Sequence, residues 1–399
     1  MPTNTTEKRV AGLDHLRALA ILLVFIYHFG LFGHPAWVET VGGFGWTGVD
    51  LFFVLSGYLI GGQLLGRVAQ GRPLALGEFY FKRLLRIVPA YLAVLAVYFA
   101  IPAFKERSEL PPLWRFLTFT QNFGLDAHSS GAFSHAWSLC VEEQFYLLLP
   151  LILLVMLALR AGRWMLWLLP LLFGLGLFLR IYSWDLFIAP MLSSGIETGL
   201  GVTYYQWIYY PSYTRMDGLL AGVGLAALYH FRPELWSRVT RHGNALLLLA
   251  LALLGGAYFL CANLITFSAT AFGYPLVDAG YAVLVLAALS PGCLLYRFDS
   301  RLTAWIAAIS YSLYLVHKSL IHLTQVVLGG YGFNADGNAV FLASSVVAVL
   351  GGWALYLGVE RPALRLRDRL LKRTAWGRVR QDAHGDQRPA SLDLERRTR

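Results

Sequence analysis

Apolar residues run along this chain in stretches of roughly twenty, broken by short polar or Gly-rich segments. About 20 such residues carry a helix across a bilayer. Ten stretches fit, near 11–31, 44–65, 86–104, 140–160, 164–182, 212–230, 243–262, 276–296, 303–328 and 339–359. The sixth and ninth hold polar residues and are the weakest of the set. The pattern predicts an all-α fold, a polytopic transmembrane bundle of about ten helices. No Ala-x-Ala site follows the first stretch, which runs into a Gly-rich loop, so it is expected to stay as a span rather than be cleaved as a signal peptide.

Composition agrees. Of the 399 residues, 57% are hydrophobic and 14% charged, against roughly 25% charged in a soluble domain. The net charge of +10 is unevenly placed. Lys8 and Arg9, the Arg67 to Arg86 group, Arg160 and Arg163, Arg232 to Arg241, Arg297 and Arg301 fall on one side of a ten-span arrangement, together with the tail. The positive-inside rule makes that side cytoplasmic, with both termini there. Residues 1–360 then form the membrane domain. Residues 361–399 form a basic cytoplasmic tail, expected to be partly disordered and able to lie on anionic membrane lipids. An Arg-rich inward terminus is explained by topology, so no nucleic-acid partner is expected. Cys140, Cys261 and Cys293 sit in or beside apolar runs with no CxxC or Cys/His cluster. They are expected to be small buried thiols, with no disulfide framework and no metal site.

Ionisable residues inside spans are costly and mark bundle interiors or wet cavities. In "LDHLRALAILLVFIYH", Arg17 and His28 are eleven residues apart. That is close to three turns, so both share one helix face, about 16 Å apart along the axis. Asp50 opens the second span near the level of His28. Arg83 and Arg86 share a face at the cytoplasmic start of the third, with Lys82 beside them. Glu142 and Glu143 open the fourth, and Tyr146 shares a face with Glu142. Arg215 and Asp217 stand at the outer start of the sixth span. Tyr314, His317 and Lys318 follow helical spacing in the ninth, either as site residues or as polar glue. The Tyr- and Trp-rich loop from Ser193 to Tyr213 suits sugar rings and the membrane interface alike.

These positions divide by depth. His28, Asp50 and the glutamate pair lie toward the outer half; Arg17, Arg83 and Arg86 lie toward the inner face. A carboxylate beside a histidine can orient it and support its imidazolium, making it a general base. Arginines suit phosphate oxygens. An extended pantetheine arm could cover the Arg17–His28 rise, with donor phosphates below and the thioester above.

Together, "LDHLRALAILLVFIYH", "GVDLFFVLSGYLI", "FYFKRLLRIVP", "SHAWSLCVEEQFYLLLP", "RMDGLLAG", "ISYSLYLVH" and "VERPALRL" resemble the acyltransferase 3 family of bacterial membrane O-acyltransferases. The pieces occur in family order over nearly the whole chain. The resemblance implies a ten-helix fold in the bacterial cytoplasmic membrane. It also implies acyl transfer, most often of acetyl from acetyl-CoA, to a sugar hydroxyl of a surface glycan, a lipid-linked saccharide or a macrolide-type metabolite. By position, His28 matches the family's base, Arg17 its first-helix partner, Arg83 and Arg86 its RxxR motif, and Glu142 and Glu143 its glutamate pair. Glu142 is the expected support for His28, with Asp50 as a further catalytic candidate. Arg17, Lys82, Arg83 and Arg86 are expected to hold the acyl-CoA. Arg215, Asp217, Tyr146, Tyr314 and His317 are candidate substrate contacts. Some relatives carry an extra esterase-like domain; this chain is expected to act without one, alone or with a separate partner, and its oligomeric state is left open. The competing class is a transporter that uses the same buried charges as a proton or solute relay, which the lack of repeat symmetry disfavours.

Overall fold

The computed structural model describes residues 10–160 and 165–373. Among these there is no strand. Ten principal helices follow in order: α1 (Ala11–Phe29), α2 (Gly48–Ala69), α3 (Leu76–Ala100), α4 (Trp137–Ala158), α5 (Met165–Ser183), α6 (Asp217–Phe231), α7 (Gly243–Leu260), α8 (Tyr274–Ala288), α9 (Arg301–Gly330) and α10 (Asn338–Leu355). An eleventh, α11 (Arg361–Arg373), follows a π-helical turn at Tyr356–Glu360.

Eight helical segments of the described residues are long and apolar enough to cross a membrane. The two principal helices outside that set are α6, with 15 residues, and α9, with 30. They are the sixth and ninth of the sequence reading. Helix α9 fails on polarity, because it buries Ser310, Ser312, Tyr314, His317, Lys318 and Ser319. Such groups are tolerated where they meet partners inside protein.

Helix α1 lies at the centre, packed against α2, α8 and α9. Helix α6 runs along α2, α7 along α8 and α10 along α9. The α2–α6 approach depends on glycine: a Cβ at Gly57 would collide with the Leu219 carbonyl, and one at Gly222 with the Val54 carbonyl. Small residues replace hydrophobic pressure as the cause of close helix contact in lipid. Helix α7 turns Leu248, Leu251 and Phe259 outward, as a lipid-facing helix should.

Helix α3 starts ten residues before the apolar stretch read from sequence. Its first turns are amphipathic, and Lys82 pairs there with Glu78 at 2.5 Å across one turn. After α3 the chain folds back over the bundle through residues 101–136. Phe133 takes a left-handed conformation, φ 56°, just before α4. The expected tail begins as helix, since α11 is ordered and docks on α3. The rest of the tail, residues 374–399, lies outside the described residues, as do Lys8, Arg9 and Arg163. All three cysteines are free and buried.

Candidate active site

Two cavities open along the face of α1. The first, of about 130 Å³, gathers Arg17 of α1, Ser56 of α2, Arg83 and Arg86 of α3, and Glu142 and Tyr146 of α4. The second, of about 330 Å³, gathers His28 of α1, Ser134 and His135 just before α4, Lys318 of α9, and Tyr205 and Tyr210 of the loop before α6. Val49 lines both. Arg17 and His28 thus mark opposite ends of one rod, and each belongs to a different cavity.

In the first cavity, Ser56 donates to Glu142 Oε1 at 2.9 Å and the Tyr146 hydroxyl donates to Oε2 at 3.0 Å. The Arg83 guanidinium lies 5.5 Å from the Tyr146 ring centre. Arg86 is held by Glu360 at 2.7 Å, and Ser312 donates to the other Glu360 oxygen at 2.5 Å. No carboxylate comes within ion-pair distance of Arg17 or Arg83 among the described residues. Arg83 Nε is buried without a hydrogen-bond acceptor there. Two guanidinium groups with free donors suit an anionic ligand. Lys82 does not join them, because its ammonium is taken by Glu78 one turn back.

The glutamate pair corrects the sequence reading. It does not reach His28. The fourth helix begins at Trp137, so Glu142 stands more than a turn inside it, at the level of Ser56 and Tyr146. Glu143 diverges around the helix, and its Oε1 is buried with no hydrogen-bond partner among the described residues. Tyr146, expected at the acceptor, belongs with Arg17 and Arg83.

His28 instead meets His317. Its Nδ1 is 2.8 Å from His317 Nε2. His317 Nδ1 faces two backbone carbonyls, Tyr314 at 2.8 Å and Leu313 at 3.2 Å. Carbonyls only accept, so in the neutral ring His317 Nδ1 carries the proton and Nε2 is an acceptor. His28 Nδ1 must then donate. The lone pair of His28 sits on Nε2, which has no hydrogen-bond partner among the described residues, in a ring that lines the cavity. Tyr314, another expected substrate contact, lines the first cavity and not that of His28. Its hydroxyl bonds Ser138 at 2.7 Å and the His135 carbonyl.

Asp50, Arg215 and Asp217 are also placed differently from expectation. Asp50 is one residue past Val49, and the helical turn sends it toward α6, away from His28. It pairs with Arg215 at 2.7 Å. Asp217 pairs with Arg180 of α5. Asp278 of α8 is buried against Gly218, completing a sealed group. The Arg215 guanidinium is 4.2 Å from the Tyr274 ring centre, 4.6 Å from Tyr209, 5.5 Å from Trp137 and 5.9 Å from Trp46. Trp46, Trp137 and Tyr209 present another side to the His28 cavity. Arg215 therefore stiffens the cavity wall from behind through cation–π contacts.

Sequence reasoning missed His135, Glu106 and Glu360. His135 had a signal: His135, Ser138, Glu142 and Tyr146 follow one helix face, and all line a cavity. Its ring centre is 5.9 Å from His28 and 5.1 Å from His317. Glu106 lies in the returning loop, where only tertiary folding brings it to Lys318. Among the described residues, no group of three His, Cys, Asp or Glu is arranged to hold a metal ion.

A helical bundle with an arginine-lined cavity on one side of a shared wall and an imidazole-lined cavity on the other has the layout of a membrane group-transfer enzyme. The chain belongs to the acyltransferase domain family, whose profile matches residues 10–357. It is 31% identical over 364 residues to the peptidoglycan O-acetyltransferase OatA of Listeria monocytogenes, covering 82% of this chain and 51% of that one. It is 33% identical over 165 residues to the O-acetyltransferase OatA of Staphylococcus aureus, covering 38% of this chain and 26% of that one. The chain thus spans about half the length of the first relative and about a quarter of the second. No solved structure matches it. The family and the long apolar helices make it a multi-pass membrane protein.

Proposed function

We propose that this chain moves an acyl group, acetyl first among candidates, from cytosolic acyl-CoA to a sugar hydroxyl, working in the bacterial cytoplasmic membrane with both termini inside. The observation that carries the reading is the His28–His317 contact. It puts a free lone pair on a buried histidine in a cavity large enough for part of a saccharide. Arg17 and Arg83 support the donor half, since they offer unpaired donors to phosphate on the side that the positive-inside rule makes cytoplasmic. The name of the Listeria relative, a peptidoglycan O-acetyltransferase, supports a glycan acceptor.

In this reading, His28 Nε2 takes the proton of the acceptor hydroxyl as that oxygen adds to the thioester carbonyl carbon. The C–S bond then breaks, and the departing CoA sulfur receives the proton from the imidazolium. His317, rather than a carboxylate, fixes the tautomer. The aromatic wall of Tyr27, Tyr205 and Tyr210 supplies faces for a sugar ring.

The test uses the purified full chain with radiolabelled acetyl-CoA and glycan acceptors. His28→Ala is expected to lower transfer 10²–10⁴-fold, the usual worth of general-base catalysis, with normal membrane insertion. Full activity in that variant refutes the base assignment. Solute flux into vesicles without CoA turnover favours a transporter instead.

A further inference from the structure

Beside His28 lies a second buried charge group with no part in the scheme so far. Lys318 Nζ is 3.2 Å from Glu106 Oε1 and donates to Ser134 Oγ at 3.1 Å. Glu106 also accepts from the Phe133 backbone N–H at 3.1 Å and from the Tyr98 hydroxyl at 3.0 Å. Ser319 donates to the Tyr98 oxygen at 2.5 Å. The group is buried, yet Lys318 and Ser134 line the same cavity as His28.

Three facts set this lysine apart from an ordinary buried ion pair. First, the charge of Glu106 is shared among three donors, so it does not saturate the ammonium. Second, an ammonium has three N–H donors. Two are engaged by Glu106 and Ser134, which leaves one in a side chain that borders the cavity. Third, Lys318 follows His317 directly, so one turn of α9 sets both the tautomer of the base and the position of the cation.

We propose that Lys318 is a catalytic residue that stabilises the oxyanion of the tetrahedral intermediate. This rests on the acyl-transfer reading above. When the acceptor oxygen bonds to the thioester carbon, the carbonyl π pair moves onto oxygen. The Lys318 ammonium takes up that negative charge while His28 holds the acceptor's proton. Collapse restores the carbonyl, breaks the C–S bond and releases the CoA sulfur with that proton. A cation fixed in a largely buried protein wall acts more strongly than one in bulk water. Glu106 and Ser134 are positioning residues that hold the ammonium at the wall.

Four variants of the full chain test this: Lys318→Met, Lys318→Arg, Glu106→Gln and the double Lys318→Met/Glu106→Gln. Steady-state transfer from radiolabelled acetyl-CoA is read beside thermal melting in detergent. Lys318→Met is expected to lower kcat on the order of 10²–10³-fold, as loss of one oxyanion donor does, with KM for acetyl-CoA little changed. Lys318→Arg should keep more activity than Lys318→Met, because it keeps the charge. Glu106→Gln should lose less than Lys318→Met. The double variant removes the unpaired buried charge, so it should regain melting temperature while staying as inactive as Lys318→Met. A double variant that recovers transfer overturns the proposal, since Lys318 would then serve only to neutralise Glu106. Wild-type transfer in the same assay keeps this result separate from a failure of the acyl-transfer reading itself.

Discussion

The Arg215 group and the Lys318 group are both buried clusters of opposite charges, yet they differ in what they face. Arg215 is enclosed by Tyr274, Tyr209, Trp137 and Trp46 and paired to Asp50. Lys318 is paired to Glu106 but borders the His28 cavity. Sequence treats the two alike, as ionisable residues in apolar runs. Burial by itself therefore does not distinguish a scaffold from a site. Access to a cavity does.

Replacing Arg215 by Ala should break the sealed cluster and leave Asp50 unpaired. Such a loss typically destabilises by about 3–5 kcal/mol, so membrane abundance and detergent melting temperature should both fall sharply. Lys318→Met/Glu106→Gln should melt near the wild-type temperature. If Arg215→Ala instead melts normally and loses only activity, the contrast between the clusters collapses.

Arg17→Ala should raise KM for acetyl-CoA by about 10–100-fold, the worth of one charged hydrogen bond, with kcat nearly unchanged. A loss confined to kcat would move Arg17 from donor holding to chemistry. Tyr146→Phe removes one donor from Glu142 and should lower stability by about 1 kcal/mol, read by the same melting experiment. Lys82→Ala should do least. Its one-turn pair with Glu78 is worth about 0.2–0.5 kcal/mol, and donor KM should stay at the wild-type value. A large KM change there would return Lys82 to the donor site.

The helices were legible because hydropathy alone marks spans; of the two that fall outside the membrane-crossing set, α6 is apolar but only 15 residues long, and α9 is long but polar. Placing Arg17 and His28 on one rod followed from helical periodicity. The partners of His28 were not legible, since adjacency between α1 and α9 is a matter of tertiary packing. Glu142 was misassigned for a related reason. Hydropathy put the start of α4 at residue 140, whereas the helix begins at Trp137; that offset is only about 4.5 Å of rise, and it is the packing of α4 against α2 that puts the carboxylate beside Ser56 instead of beside His28. Asp50 was misassigned by rotation, one residue around from Val49. Glu106 and Glu360 could not be found from spacing, because each reaches its partner only after the chain has returned from elsewhere.

Among the described residues, Val49 is the one side chain that lines both cavities. On the acyl-transfer proposal, its bulk would set how far the two cavities communicate. An alanine at 49 should widen the opening and let water reach the thioester, raising futile hydrolysis; a phenylalanine should narrow it and strand the acyl group on its carrier. The traffic through this protein would be governed by a few methyl groups rather than by any of its charges.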